Sequence, residues 1–245
     1  MRRHLSGIHL LVGAVAVAAV GVGDSLAQTS DVPLAISLWA GGELVWSTNQ
    51  QPQSAEGTVN FYNGDASGEG WGLSWDVEGD PDPFVIANTA ITNMAAVTQN
   101  FQLMVTLPVF PALTPSSLIG GSVQGGITAD GDGGTLSSIT GTSIYQAMID
   151  GSVIGEPAAL LDDPSSVSAG AFLSNSFTPE AFGDMPMIPS EPGPAVLNSI
   201  GILLSFSLTA GDQATFSSVF VAEIPSPAPL ALFGAAGLMA ARRRR

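Results

Sequence analysis

The sequence predicts an all-β protein: an antiparallel β-sandwich of jelly-roll-like form, flanked by an N-terminal signal helix and a short C-terminal hydrophobic helix. Short segments alternate apolar and polar residues with the period of two that is typical of strands. Gly, Asn, Asp and Pro, which favour turns, separate these segments. No part of the body has a sustained helical period with caps. Many short strands with such turns favour a sandwich in one domain.

The most regular strands are predicted at residues 71–77 and 101–107, where large apolar residues alternate with small or polar ones. A hairpin is predicted near the end of the body. Alternation over residues 202–208 is followed there by a turn at 210–212 and a return strand over 216–220.

A second hairpin is predicted at Asp150-Gly151, a two-residue turn between two short apolar runs. Further short strands are expected at 34–38, 44–46, 59–61 and 119–123. Weak helical patterns occur at 90–97 and 156–161, and the proline-rich segment 177–194 is expected to be an extended loop.

The charges are distributed very unevenly along the 245 residues, which carry a formal net charge of -15. All six Arg residues lie near the two ends of the chain, and Lys and Cys are absent. Between Gln28 and Ala241 the chain holds 20 acidic residues, the 21 of the whole chain less Asp24, and no Lys, Arg or His. The body therefore has no side chain that can form an ion pair with its acids.

The first 27 residues have the three parts of a secretory signal peptide. Arg2 and Arg3 give a positive start, residues 8–22 are apolar, and Ser25-Leu26-Ala27 is a small-x-small cleavage pattern. We expect cleavage after Ala27 and an ordinary secretory route, since the residues that flank a twin-arginine motif are missing. A buried N-terminal helix is the alternative interpretation.

The last 22 residues, 224–245, combine a proline cluster, an apolar run and four terminal arginines. Proline cannot lie inside a helix, so a helix is restricted to residues 230–241, which span about 18 Å. A bilayer core is about 30 Å thick, so this helix is short for a permanent anchor. Arginines at its end are expected on the cytoplasmic side of the membrane.

This tail resembles the PEP-CTERM sorting signal, in which a Pro-rich motif, a short helix and an arginine cluster occur in this order. Ile224-Pro225-Ser226-Pro227 matches the motif with Ser226 in place of the usual glutamate. The resemblance implies processing by an exosortase, a membrane protease or transpeptidase that releases its substrate toward the cell surface or matrix. A simple tail anchor is the alternative. The residues assigned to sorting and processing are Ala27, Pro225, Ser226, Pro227, Arg242, Arg243, Arg244 and Arg245.

The sequence therefore divides into a signal peptide at 1–27, a β-sandwich body at 28–223 and a sorting tail at 224–245. The expected partners are signal peptidase, an exosortase-like enzyme, extracellular polysaccharide and, before processing, the cytoplasmic membrane. Nucleic acid is excluded, because the body has no cations to neutralise phosphates.

The composition of the body also excludes most catalytic designs. Without His, Lys, Arg or Cys it lacks the usual general base, Schiff-base amine, thiolate and zinc ligands. A carboxylate pair of the kind used in glycoside hydrolysis is the design that remains. Its candidates are Glu43, Glu56, Glu69, Asp76 and Glu78. We expect no enzyme and keep a glycoside hydrolase as the third hypothesis.

Tryptophan offers a candidate sugar site, because all four Trp residues fall between Trp39 and Trp75. Trp71 and Trp75 share one side of their strand with Leu73 and Val77, so both are expected in the core. Trp39 and Trp46 flank a Gly-Gly turn and are the candidates for an exposed glycan platform.

Two acidic turns are candidate calcium sites, since calcium takes six to eight oxygen ligands. Asp130 and Asp132 lie in one, and Glu78, Asp80 and Asp82 lie in the other. Neither completes an EF-hand, and ordinary solvated turns are the alternative.

Taken together, these features predict an exported acidic β-sandwich protein with a structural or adhesive role at the cell surface or in the extracellular matrix. A carbohydrate-binding module that uses exposed Trp is the alternative hypothesis.

Overall fold

The computed structural model describes residues 32–184 and 188–224 and is all-β in these ranges. The first nine strands are β1 Leu34–Ala40, β2 Glu43–Gln50, β3 Ser54–Glu56, β4 Val59–Gly68, β5 Trp71–Asp80, β6 Phe84–Asn93, β7 Gln99–Pro108, β8 Ser117–Thr128 and β9 Gly134–Ser138. The others are β10 Tyr145–Ile149, β11 Ser152–Val153, β12 Ala159–Leu160, β13 Ser166–Ala169, β14 Ser174–Ser176, β15 Glu180–Phe182, β16 Glu191–Gly193, β17 Ser199–Leu208 and β18 Gln213–Glu223.

These strands form two antiparallel sheets. Sheet A has the order β11-β10-β17-β7-β1-β2, with β12 on β10, β9 on β17 and β13 on β9. Sheet B has the order β14-β8-β18-β6-β5-β4-β3, with β15 and β16 also paired to β8. The sequence-based prediction of an all-β protein is therefore confirmed. The two predicted flanking helices lie outside the described residues.

The inward faces of the two sheets pack into one continuous apolar core. Phe206 of sheet A and Phe216 of sheet B have ring centroids 5.0 Å apart. The buried Tyr145 hydroxyl of sheet A donates a 2.8 Å hydrogen bond to the Val219 carbonyl of sheet B. In each long strand every second side chain points toward this core, because successive side chains of a strand point to opposite faces of the sheet.

The strands predicted at 71–77 and 101–107 are confirmed as parts of β5 and β7. The four runs at 34–38, 44–46, 59–61 and 119–123 also lie within strands β1, β2, β4 and β8. Trp71 and Trp75 are 4% and 8% exposed, so their predicted place in the core is confirmed.

The hairpin predicted for residues 202–220 is wrong, although both of its strands exist. β17 pairs with β7, β9 and β10 in sheet A, whereas β18 pairs with β6 and β8 in sheet B. The turn at Gly211, which has a φ of 80°, carries the chain across the sandwich. Both strands present large apolar residues on one face, and these faces meet in the core instead of forming one ladder.

The hairpin at Asp150-Gly151 is confirmed, with β10 and β11 paired as Ile149↔Ser152. Asp150 and Gly151 have φ values of 51° and 77°. Both central residues thus have the positive φ that the tight two-residue turns of hairpins use.

The weak helical patterns at 90–97 and 156–161 are wrong: no helix occurs in the ranges 32–184 and 188–224. Residues 90–93 belong to β6, where Ile91 and Asn93 face the core, and β12 occupies 159–160. The described parts of segment 177–194 contain β15 and β16, which lie along β8. Together with β14 they cover the edge of sheet B, which would otherwise offer unpaired backbone groups. The described residues include no helix of the length and hydropathy that a membrane span needs.

Candidate functional site

Part of the outer face of sheet B carries uncharged polar side chains aligned in rows across the strands. Register places five polar residues side by side on β4, β5, β6, β18 and β8: Asn63, Asp76, Asn88, Ser217 and Gln124. All five are exposed. Neighbouring strands are about 4.8 Å apart, so this row is about 19 Å long.

A second row runs parallel to the first, two residues further along each strand. Ser74, Ala90, Thr215 and Gly126 lie opposite one another on β5, β6, β18 and β8. On strands β5, β6, β18 and β8 the two rows form the floor of a groove with a volume of about 750 Å³. β14 is the rim on one side, where Ser174 and Asn175 line the groove. We call this concavity the polar groove.

Two glycines of β8 make room for the groove's rim and for the core beneath it. A Cβ on Gly126 would lie 2.9 Å from the Asn175 carbonyl oxygen of β14. A Cβ on Gly125 would lie 2.6 Å from the Phe216 ring on the core side. Glycine at both positions lets β8 lie close to its neighbours on both faces. The Thr128 and Ser174 hydroxyls, 2.9 Å apart, also join β14 to β8.

The groove offers hydrogen-bond donors and acceptors, with one charge. Ser217 Oγ donates to Asn88 Oδ1 at 2.8 Å, and no described residue accepts a hydrogen bond from the Asn88 amide N–H groups. Within the described part of the chain, the Asp76 carboxylate and the Gln124 amide have no hydrogen-bond partner. Asp76 is the one carboxylate among the described residues that line it.

A smaller depression of about 230 Å³ adjoins the polar groove and shares Gln124 and Ser217 with it. Pro179 and Glu180 of the segment that covers β8 lie on its far side. Glu180 Oε2 accepts a 2.7 Å hydrogen bond from the Leu161 backbone N–H, so it supports the loop. The depression thus extends along β8 and β18 beyond the groove, where Val219 and Ala181 also line it.

The two tryptophans predicted as a glycan platform are on opposite faces of sheet A. Trp46 pairs with the buried Leu38 and therefore points inward, where its ring centroid lies 5.2 Å from that of Trp75. Trp39 follows Leu38 in β1 and points outward, opposite Leu44. Both are half-buried. The structure does not bring Trp39 and Trp46 together on one surface.

The turn that contains Asp130 and Asp132 gains a third carboxylate from the β17–β18 turn. Asp212 Oδ1 accepts a 3.0 Å hydrogen bond from the Asp130 backbone N–H, and Asp212 Oδ2 accepts one from the Thr209 hydroxyl. A hydrogen bond between the Asp130 and Asp132 side chains lowers the pKa of Asp130 and raises that of Asp132. The carboxyl groups of this cluster are thus engaged with one another and with the backbone.

The second predicted calcium turn is also internally bonded. Asp80 Oδ1 accepts a 2.9 Å hydrogen bond from the Asp82 backbone N–H, and Asp80 Oδ2 accepts one from the Thr58 hydroxyl. Glu78 lies on the outer face of β5, opposite Phe61 and Ile86. Residues 32–184 and 188–224 hold no group of three or more His, Cys, Asp or Glu arranged to bind a metal ion.

The candidate catalytic carboxylates are dispersed. Glu43 begins β2, Glu56 ends β3, and Glu69 lies in the turn between β4 and β5. Asp76 and Glu78 share the outer face of β5, with Cα atoms about 7 Å apart from the strand repeat. The structure thus brings together one pair of the five. The sorting residues Ala27, Pro225, Ser226, Pro227 and Arg242 to Arg245 lie outside the described residues.

Sequence reasoning did not find the polar groove, because its floor combines the consecutive strands β5 and β6 with β8 and β18, which are distant in sequence. Asp76 and Asn88 are on adjacent strands, but Gln124 and Ser217 are joined to them only through the register of β18. The signal in the sequence was the polar member of each alternating pair, as at Thr215 and Ser217, which flank the core residue Phe216. Alternation identifies such outward residues but not their neighbours across strands.

Comparison with known proteins does not assign this chain to a family. No family model matches it. No curated protein matches it either. Among solved structures, a chain in the structure of infectious bursal disease virus, Gx strain, is 13% identical, with a TM-score of 0.17. The match covers 79% of this chain and 61% of the viral chain. A likeness at this TM-score carries no argument about fold or function.

Proposed function

We propose that this chain is an exported acidic β-sandwich protein, sorted to the cell surface or extracellular matrix, where it has a structural or adhesive role. The observation that carries the proposal is the outer face of sheet B, where polar side chains on five strands form a continuous surface. Such a surface is suited to contact with hydrated extracellular polymers. The resemblance of the tail to a sorting signal supports the location.

The proposal also includes the jelly-roll-like form of the sandwich. Successive long strands change sheets, since β6 and β8 are in sheet B while β7 lies between them in sequence and belongs to sheet A. β17 and β18 repeat this crossing. These crossings support a jelly-roll-like arrangement, with residues 1–27 as the signal peptide and 224–245 as the sorting tail.

The proposed mechanism is presentation of an anionic, polar surface. With 20 acids and no cation between Gln28 and Ala241, the molecules repel one another and stay soluble outside the cell. Signal peptidase and an exosortase-like enzyme are the proposed processing partners, and the membrane holds the precursor through its tail. The mature partner is extracellular polysaccharide.

Calcium remains a candidate ligand, as a bridge between the acidic body and anionic polysaccharide. What supports it is the pairing of the Asp130 and Asp132 carboxyl groups, in a body whose 20 acids have no cationic side chain to neutralise them. An alternative role is carbohydrate binding through Trp39, whose indole faces outward from β1. A hydrolase that uses Asp76 and Glu78 is the third hypothesis, because these two share one face of β5.

The location is tested by fractionating cells of the native host that make the wild-type chain or a variant with Arg242, Arg243, Arg244 and Arg245 all changed to Gln. The wild type should reach the surface or the medium, and the variant should stay in the cell envelope. Asn49→Ala, an exposed change on β2, is the control and should behave as wild type. Equal distribution of wild type and Arg variant would contradict sorting by the tail.

The alternatives have separate tests. Glycan binding that is lost in Trp39→Ala while the fold is retained would favour the tryptophan module. Polysaccharide cleavage that is lost in Glu78→Gln would favour the hydrolase.

A further inference from the structure

We propose that the polar groove of sheet B is a binding site for an uncharged polysaccharide chain, which lies across the strands along the row from Asp76 to Gln124. This inference rests on the proposed adhesive role and names the partner and the surface that binds it. It differs from the tryptophan hypothesis, because no indole of Trp39 or Trp46 reaches this face.

Free hydrogen-bonding capacity is the first argument. Sugar hydroxyls both donate and accept, so a matching surface needs both functions in alternation. The Asp76 carboxylate accepts, the Asn88 amide N–H groups donate, and the Gln124 amide does both. Ser217 fixes Asn88 in this orientation through the 2.8 Å hydrogen bond to Oδ1. The side chains of Asp76 and Gln124, at the two ends of the part of the row that lines the groove, have no hydrogen bond to any residue in 32–184 and 188–224.

The charge distribution selects an uncharged ligand. The body has no Lys, Arg or His, so phosphate, nucleic acid and polyuronate have no cation to bind and are repelled by the surrounding acids. A single carboxylate, Asp76, lies in the described lining, and carboxylates accept hydrogen bonds from neutral hydroxyls well. An uncharged chain with many hydroxyl groups is not repelled by the acids and can donate hydrogen bonds to Asp76.

The shape and position of the groove argue against a peptide or a lipid. Strand addition, by which extended peptides bind at open sheet edges, is blocked here because β14, β15 and β16 already cover the β8 edge. A lipid or an amphipathic helix needs an exposed apolar patch. Instead the groove presents Ser, Thr, Asn and Gln across four strands, a span of about 14 Å, which suits several units of an extended polymer.

The test is retention of the purified full-length chain on immobilised neutral polysaccharides, namely a dextran, a mannan, a galactan and a β-glucan, with alginate as the anionic comparison. The test variant combines Asn88→Ala and Gln124→Ala, two exposed changes that leave the core intact. The matched control combines Asn49→Ala and Gln51→Ala, which are also exposed and do not line the groove. Thermal unfolding checks that both double variants are folded.

We expect the wild type and the control to bind at least one neutral polysaccharide, and the test variant to bind about tenfold more weakly, as the loss of two hydrogen bonds implies. Because the ligand is uncharged, binding should be unchanged by EDTA and by raising NaCl from about 50 to about 500 mM.

Three results would overturn the inference. One is the absence of binding to all four neutral polysaccharides. Another is binding that depends on Trp39 and persists in the Asn88/Gln124 double variant. The third is binding to alginate alone and only with calcium. A chain that fails to reach the cell surface but binds a neutral polysaccharide through the groove would instead refute the proposed location and leave this inference standing.

Discussion

Ser217 Oγ on β18 donates a 2.8 Å hydrogen bond to Asn88 Oδ1 on β6, directly across the ladder that joins the two strands. Both residues are exposed, so this bond orders the surface and not the core. It orients the amide of Asn88, which lines the polar groove and whose N–H groups have no acceptor among the described residues. The groove is therefore partly preorganised, which reduces the entropy lost when a ligand binds.

The first prediction concerns this preorganisation. Ser217→Ala should weaken binding of a neutral polysaccharide about threefold to tenfold, because one orienting hydrogen bond is lost. Ser217→Thr keeps the hydroxyl and should restore most of the affinity. Unfolding stability should change by less than about 0.5 kcal/mol in both variants, as is usual for exposed positions. Isothermal titration and urea unfolding measure the two effects, and equal weakening by Ala and Thr would contradict the orienting role.

The second prediction concerns the link between the sheets. Tyr145→Phe keeps the ring beside Phe182, at a centroid distance of 6.5 Å, but removes the hydrogen bond to the Val219 carbonyl. The free energy of unfolding at neutral pH should fall by about 1–2 kcal/mol in urea titrations. A change too small to measure would mean that the bond adds nothing to the packing of the two sheets.

The same variant should alter the response to alkali. Burial raises the pKa of Tyr145, so the folded chain keeps a proton that the unfolded chain loses near pH 10. Above that pH the unfolded state binds fewer protons, so Tyr145 makes the wild type less stable as the pH rises. Tyr145→Phe should therefore lose stability less steeply than the wild type between about pH 9 and about pH 11. Parallel curves for the two proteins would contradict this contribution.

The third prediction concerns Asp150, whose carboxylate holds the start of β17. Asp150 Oδ1 accepts from the Asn198 and Ser199 backbone N–H groups at 2.7 and 3.0 Å, and Oδ2 accepts from Leu197 N–H at 3.0 Å. Burial raises the pKa of Asp150, but these donors together lower it by more, so the net shift is downward. The carboxylate thus stabilises the fold at pH values above the unfolded pKa of about 3.9. This stabilisation is lost as the pH falls through the pKa of the folded state.

Asp150→Asn should therefore cost about 1–3 kcal/mol at neutral pH and less in acid, where the wild type loses the same contribution. Asn also tolerates the positive φ of this turn, so the change tests the carboxylate and not the backbone. Urea unfolding between about pH 3 and about pH 7 measures it. Asp76→Asn, which removes an exposed carboxylate outside any described hydrogen bond, should change stability by less than about 0.5 kcal/mol. An equal cost for both variants would contradict the anchoring role of Asp150.

The fourth prediction concerns divalent ions. Millimolar calcium should raise the melting temperature more than sodium chloride at the same ionic strength, and Asp132→Asn should reduce the difference. Asp132 is the test position because its side chain meets Asp130 and lies near Asp212. Equal shifts with calcium and sodium would show that the ions only screen the repulsion between the acids.

Alternation alone predicted most long strands and the inward direction of Trp71 and Trp75, because a strand period of two assigns each residue to a face. It did not predict which strands pair. β17 and β18 follow one another through a short turn and alternate in the same way, yet each joins a different sheet. Partner choice depends on long-range packing such as Phe206 on Phe216, which no local pattern contains. For the same reason local patterns did not predict the groove, since Asn88 and Ser217 are 129 residues apart in sequence.

The most direct test of the proposed export and sorting is the intact mass of the protein from its native host, measured separately in the membrane and extracellular fractions. We expect an extracellular form that begins after Ala27 and ends between Ile224 and Pro229, since the tail resembles a sorting signal that is cut near its Pro motif. A sole membrane form that still carries Arg245 would contradict release by a sorting enzyme and would make the tail an anchor.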